Sequence, residues 1–185
     1  MFTNLRDATR EDWDRIDSLD EARTDHAAAP LALLESLRGG DPAGYTLNPY
    51  DHSRQAATRA LRAGESAEMV VCVLFHDMAD RLAPVNHGQI AAELLRPFVL
   101  PDHYWMVKMH GLFQKENFTN HVHWGSGVME DLIAPHREHP AFDLTRRFCR
   151  DYDAPSFDPA YDALPVDAFM PQIRQVFDRP YSFEA

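Results

Sequence analysis

Strand-forming patterns are nearly absent from this chain of 185 residues. The one β-branched run, 70–74, is flanked by helix formers and reads as helix. Cysteine is scarce: Cys72 and Cys149 both sit in apolar surroundings, and no pair has the spacing of a zinc site, so both read as buried, reduced thiols. No apolar run approaches the roughly 20 residues that span a bilayer. The opening MFTNLRDATRED lacks the apolar core of a signal peptide. Runs of Lys and Arg are missing too, and 29 acidic residues outnumber 18 basic ones for a formal net charge of −11. That balance disfavours a phosphate-backbone partner. There is no internal repeat, low-complexity tract or linker. The expectation is a soluble, cytoplasmic protein without nucleic-acid or membrane partners, its oligomeric state left open by the sequence.

What is there is helical. Residues 9–23 predict a first helix, with Thr9 and Asp12 as an acidic capping box and Trp13, Ile16 and Leu19 spaced for one apolar face. Pro30 opens a second helix, which Gly39 and Gly40 end. Residues 41–49 form a loop, and a third helix starts at Asp51, placing His52 in its first turn. Ser66 caps a helix over 68–76, and Asn86 caps one beginning at His87. Pro101 opens another that carries His110. Residues 114–127 read as a polar and aromatic loop, 140–152 as helix, 155–165 as irregular and 166–177 as a last helix. The expected fold is one all-α domain with a central metal site, residues 1–26 being an N-terminal arm and helix.

Four histidines, His52, His76, His87 and His110, fall near the ends of these helices. A helical bundle gathers such ends into one pocket, which is how inward-facing metal sites are built. Asp77 directly follows His76. Imidazole with carboxylate and no thiolate suits iron, manganese, zinc or cobalt in a reactive site and argues against structural zinc. His26, His103, His136 and His139 read as surface residues.

The ordered set resembles the HD-domain superfamily of metal-dependent phosphohydrolases, whose signature is H…HD…D. The resemblance is closer to one branch, the mixed-valent diiron oxygenases, which includes myo-inositol oxygenase and the oxygenases that cleave hydroxylated phosphonates. The likeness runs from Asp41 to about Phe177. In it, His52 of YDHSRQAATRA matches the first histidine, with Gln55 and Ala57 also in pattern, and His76-Asp77 matches the HD pair. His87 of NHGQIAAELL and His110 of YWMVKMHGLFQ match the next two ligands, and Asp153 of FCRDYDAPSFDP the last, with Asp151 its rival. The resemblance implies two iron ions as a mixed-valent Fe(II)/Fe(III) pair, other divalent metals being possible, and gives Asp77 the bridging, catalytic position. It implies a small hydroxylated substrate, with O2 as co-substrate.

Three positions depart from the relatives. Asp80 stands where they often carry a substrate-holding Lys or His, Phe157 where they have a second Lys, and Gln114 where the phosphonate enzymes have a third. An acidic wall at Asp80 favours a neutral or cationic substrate, although Lys108, Lys115 and Arg81 remain possible anion contacts. Asp41 matches an acidic substrate-loop position of the inositol enzyme, and serves equally well as a turn-former. The candidate substrate contacts are therefore Asp41, Asp80, Gln114 and Lys115. The leading expectation is a diiron oxygenase. The alternative is a phosphohydrolase acting on a nucleotide or phosphomonoester, and a metal-degenerate binding protein is a third class.

Overall fold

The computed structural model describes residues 2–21, 25–42, 44–117 and 126–179. Among these residues there are nine α-helices and no strand. They are α1 (Arg10–Glu21), α2 (Ala28–Ser36), α3 (Pro49–Arg62), α4 (Ala67–Phe75), α5 (His87–Leu95), α6 (Pro101–Phe113), α7 (Ser126–Ile133), α8 (Phe142–Phe148) and α9 (Met170–Phe177). None is long and apolar enough to cross a membrane.

α4 is the axis of the core. Every side chain from Glu68 to Phe75 is buried, as expected of a helix that is apolar all round. α3 packs along one side of it, α6 and α9 along others; α5 and α8 then pack on α6. Ser66 caps α4 by accepting from the Met69 amide at 3.1 Å, as the sequence implies. The capping box at α1 also forms, Thr9 Oγ1 accepting from Asp12 N and Asp12 Oδ2 from Thr9 N, at 3.2 and 3.1 Å.

Several expectations change. α3 begins at Pro49, two residues before Asp51, because Asn48 accepts from the Asp51 amide and Pro occupies the first turn. Asn86 stands at the cap position of α5 but makes no side-chain cap bond there. The apolar face of α1 is not a core face: none of residues 10–19 is buried, Trp13 is 41% and Leu19 54% exposed, and Trp13 meets Phe2 instead. Residues 114–117 form a 3-10 turn and α7 begins at Ser126, so the expected loop over 114–127 is partly helical; its middle lies outside the described residues. The helix read over 140–152 is α8 followed by a π-helical turn, Cys149–Asp153, closed by Ala154 N donating to Cys149 O at 2.8 Å.

The irregular segment 155–165 is held by α3. Gln55 both donates to Asp158 O and accepts from Asp158 N, at 2.7 and 3.1 Å. Arg54 donates to Leu164 O and Ala163 O, and Arg59 to Pro155 O. A stretch without its own ladder thus has several of its backbone groups satisfied by polar side chains of one helix, buried Gln55 and half-buried Arg54 and Arg59. This fixes the residues that follow the π turn against the start of α3.

Candidate metal centre

Five chain segments deliver their polar side chains to one place beside the end of α4. His52 comes from the first turn of α3 and His76 from the cap position of α4. Asp77 lies just past that helix end, where the backbone turns. His87 is the first residue of α5, His110 sits in the last turn of α6, and Asp153 ends the π turn. All six expected ligands therefore converge. His52, His76, His110 and Asp153 are buried, and His87 and Asp77 are partly exposed.

Asp77 divides the cluster into two halves. Its Oδ2 is 3.1 Å from His76 Nε2 and 3.6 Å from His52 Nε2. Its Oδ1 is 3.0 Å from His110 Nε2 and 3.1 Å from His87 Nε2. In the first half His52 Nε2 also lies 3.3 Å from Asp153 Oδ1 and 3.3 Å from His76 Nε2. In the second, the Nε2 atoms of His87 and His110 are 3.2 Å apart. His52, His76 and Asp153 form one group able to hold a metal ion, and His76, Asp77 and His110 another, each with its ligand atoms within 4.8 Å of one another. His87 joins the second group through its contacts to Asp77 and His110.

The orientation of the rings carries chemical information. Each of the four histidines has its Nδ1 against a backbone carbonyl: Ser156 O at 3.0 Å for His52, Val73 O at 2.7 Å for His76, Pro84 O at 3.0 Å for His87 and Val107 O at 2.7 Å for His110. A carbonyl only accepts, so each Nδ1 carries a proton and each ring, when neutral, turns an Nε2 lone pair inward. Two lone pairs facing each other at 3.2–3.3 Å repel unless a proton or a metal ion stands between them. Anchoring of the distal nitrogen on a carbonyl is also how metal-ligating imidazoles are oriented. Asp153 adds a buried Oδ2 that has no hydrogen-bond partner. Donors about 2.0–2.2 Å from a common ion sit roughly 2.9–3.5 Å apart, depending on coordination number, and the separations among the six side chains fall in that range except the 3.6 Å between Asp77 Oδ2 and His52 Nε2. The residues fit metal ions.

The electrostatics lean the same way. Burial pushes the His52 pKa down, but the Asp153 hydrogen bond and the Asp153 and Asp77 charges reverse this and leave it raised. For His87 burial again lowers and Asp77 raises more, to about 9. Burial pushes Asp77 up, and the His76 charge with hydrogen bonds from His110, His76 and His87 hold it well below the usual carboxylate range. Asp153 is likewise lowered overall, because His52 outweighs its burial. The protein alone thus stabilises positive charge at its centre.

The other expected contacts are dispersed. Gln114 donates to Asp153 Oδ1 at 3.2 Å, and with Lys115 it lines a cavity that reaches His87 and His110. Asp80 stands 3.6 Å behind His87 Nδ1 and is not among the residues lining that cavity. Asp41 is exposed in the loop before α3, outside the cluster. Asp151, the rival of Asp153, is exposed and paired with Arg150 at 2.6 Å. The four histidines read as surface residues are each half-buried: His103 meets Glu68, His26 meets Phe98, and His136 and His139 meet Trp105. Sequence reasoning missed three supporting features. Phe157 stacks on His52 with ring centroids 4.3 Å apart and is itself covered by Tyr45. Gly88 lets α5 approach α6 at His110. The four carbonyls behind the rings leave no residue-type signal at all.

No protein-family model matches the chain, and a search of curated proteins finds none similar to it.

Proposed function

We propose that this protein is a diiron enzyme of the HD-domain kind, which uses O2 to cleave a small hydroxylated organic substrate oxidatively. The observation that carries this reading is the double use of Asp77, whose two oxygens face two separate pairs of histidines. A carboxylate placed so, with further donors on both sides, fits a pair of ions better than one. His52, His76 and Asp153 would hold the first, His87 and His110 the second, and Asp77 would join them. Imidazole and carboxylate without thiolate suit non-haem iron. Burial pushes both Cys72 and Cys149 well above the usual thiol range, so neither competes as a ligand. When bound, a mixed-valent iron pair supplies Lewis acidity for a substrate hydroxyl and the electrons that activation of O2 requires.

The chain's own contribution is unequal on the two sides. The first half has four protein donors, and three of them, His52, His76 and Asp153, are buried. The second has three, and its His87 borders the cavity, so substrate meets the centre there. The Nδ1 bonds to carbonyls hold the rings in place, so little reorganisation is needed during turnover. Gln114 holds one oxygen of Asp153, and Phe157 covers His52, which keeps water from the first half.

Elemental analysis and Mössbauer spectroscopy of protein purified anaerobically from iron-replete cells test the reading. Two irons per chain with a coupled spectrum are expected. One ion bound reproducibly would remove the second half from the ligand set. Phosphate release from a generic phosphomonoester without oxygen would instead favour the phosphohydrolase reading, which needs only His52, His76, Asp77 and Asp153.

A further inference from the structure

Asp77 and Asp80 lie three residues apart and take opposite nitrogens of one ring. Asp77 Oδ1 is 3.1 Å from His87 Nε2, and Asp80 Oδ1 is 3.6 Å from His87 Nδ1. The turn after α4 sets this bracket: Asp80 N donates to Asp77 O and Ala83 N to Ala79 O, both at 2.9 Å. The same turn supplies Pro84 O, which accepts from His87 Nδ1 at 3.0 Å. Arg81 ties the turn to the end of α2 by donating to Ser36 O at 3.0 Å. Among the described residues the Asp80 carboxylate forms no other ion pair or hydrogen bond.

His87 differs from the other three histidines in what fixes it. Its side chain is 22% exposed, against 3% for His52, 0% for His76 and 1% for His110, so packing does less to hold its ring. It is also the first residue of α5, where unpaired amides put partial positive charge and Asn86 gives no side-chain cap. A cation held by His87 has that positive helix end beside it, and a carboxylate at the outer nitrogen offsets it. Imidazole backed by a carboxylate is a more basic donor and keeps its orientation. Of the four rings, His87 alone has both a carbonyl and a carboxylate at Nδ1.

We propose that Asp80 is a positioning residue of the metal centre that acts through His87. Its carboxylate holds the ring from outside and strengthens Nε2 as a donor to the ion of the second half. A side chain expected to face substrate thus serves a metal ligand instead. This role rests on the second ion of the diiron reading.

The test is calorimetric titration of metal-free protein with Fe(II) under argon, on the parent and on Asp80→Asn, Asp80→Glu and Asp14→Asn. Asp80→Asn keeps the shape and removes the charge. It should bind the second ion about 10–100-fold more weakly and the first as the parent does. Asp80→Glu keeps the charge and should recover most of that loss. Asp14→Asn removes the same charge from the exposed side of α1 and should bind both ions at parent affinity. Metal-free Asp80→Asn should melt within about 2 °C of the parent; a clear drop would make the loss structural and count against the proposal. Parent affinity for both ions in Asp80→Asn would overturn the proposal and leave the diiron reading intact. An equal loss in Asp80→Glu or in Asp14→Asn would overturn it as well, because shape or overall charge would then be the cause. A parent that binds a single ion would sink the diiron reading, and Asp80→Asn would still decide the role of Asp80. Weaker binding of that one ion would support the role, and unchanged binding would refute it.

Discussion

Asp153 and Asp151 lie two residues apart, and the structure gives them opposite environments. Asp151 is exposed and paired with its neighbour Arg150, an ion pair worth little in water. Asp153 is fully buried, 3.3 Å from His52, with one oxygen lacking any partner. The π turn produces this difference. Its extra residue per turn rotates Asp153 into the core and leaves Asp151 outside, and such turns recur at functional sites. Asp153→Asn keeps the shape and removes the charge, so it should lose the first metal ion. Asp151→Asn should keep both ions and a melting temperature within about 2 °C of the parent, as for most surface changes. Metal counts on the two variants decide this, and a metal-depleted Asp151→Asn beside a loaded Asp153→Asn would reverse the assignment. Order and residue type made the six donors legible in the sequence. Their second nitrogens were not, because a backbone carbonyl is present at every residue and only the fold decides which one lies behind a ring.

At the scale of helices, periodicity reveals which face is apolar but not what covers it. That is why Trp13, Ile16 and Leu19 share one apolar face that no core covers, whereas α4, apolar along nearly its whole length, is central. Likewise a helix contact that depends on an absent side chain leaves only a glycine to read. Gly88, in the first turn of α5, is such a case. A Cβ there would come within 3.0 Å of His110 Cε1, 3.1 Å of His110 Nδ1 and 3.1 Å of Val107 O. Val107 O is backbone and also holds the His110 ring, so neither neighbour can yield without moving the other. Gly88→Ala should improve local helix propensity by up to about 1 kcal/mol while displacing His110. The expected result is a metal-free protein of nearly parent stability that binds one ion normally and the second at least tenfold more weakly, read by titration with Fe(II) under argon. Full occupancy at parent affinity would show that α5 shifts freely on α6 and that the close approach is incidental.

Across the whole molecule, α4 and α6 are joined at both ends. Near their ends Asp77 meets His110, and at their starts Glu68 accepts from the Leu100 amide at 2.6 Å and from His103 at 2.7 Å. Arg179, just after α9, donates to the same carboxylate at 3.0 Å. Glu68 to His76 spans about 12 Å of helix at 1.5 Å per residue, far enough for the two junctions to act independently. Burial alone would raise the Glu68 pKa, but the His103, Leu100 and Arg179 hydrogen bonds lower it from 4.5 to about 2. A carboxylate depressed in the folded state stabilises above its unfolded pKa, and that contribution fades as pH falls from about 4.5 towards 2. Glu68→Gln should therefore cost about 3 kcal/mol at neutral pH, in urea melts of chelator-treated protein. The gap between variant and parent should be flat above about pH 5 and close as acid is added. Metal at the other junction acts by mass action on the folded state, so adding iron at pH 7 should raise the stability of parent and Glu68→Gln by the same amount. A variant that gains much less from iron than the parent would mean that the clamp at the starts of α4 and α6 sets the geometry of the centre at their ends, and that the two junctions form one coupled unit.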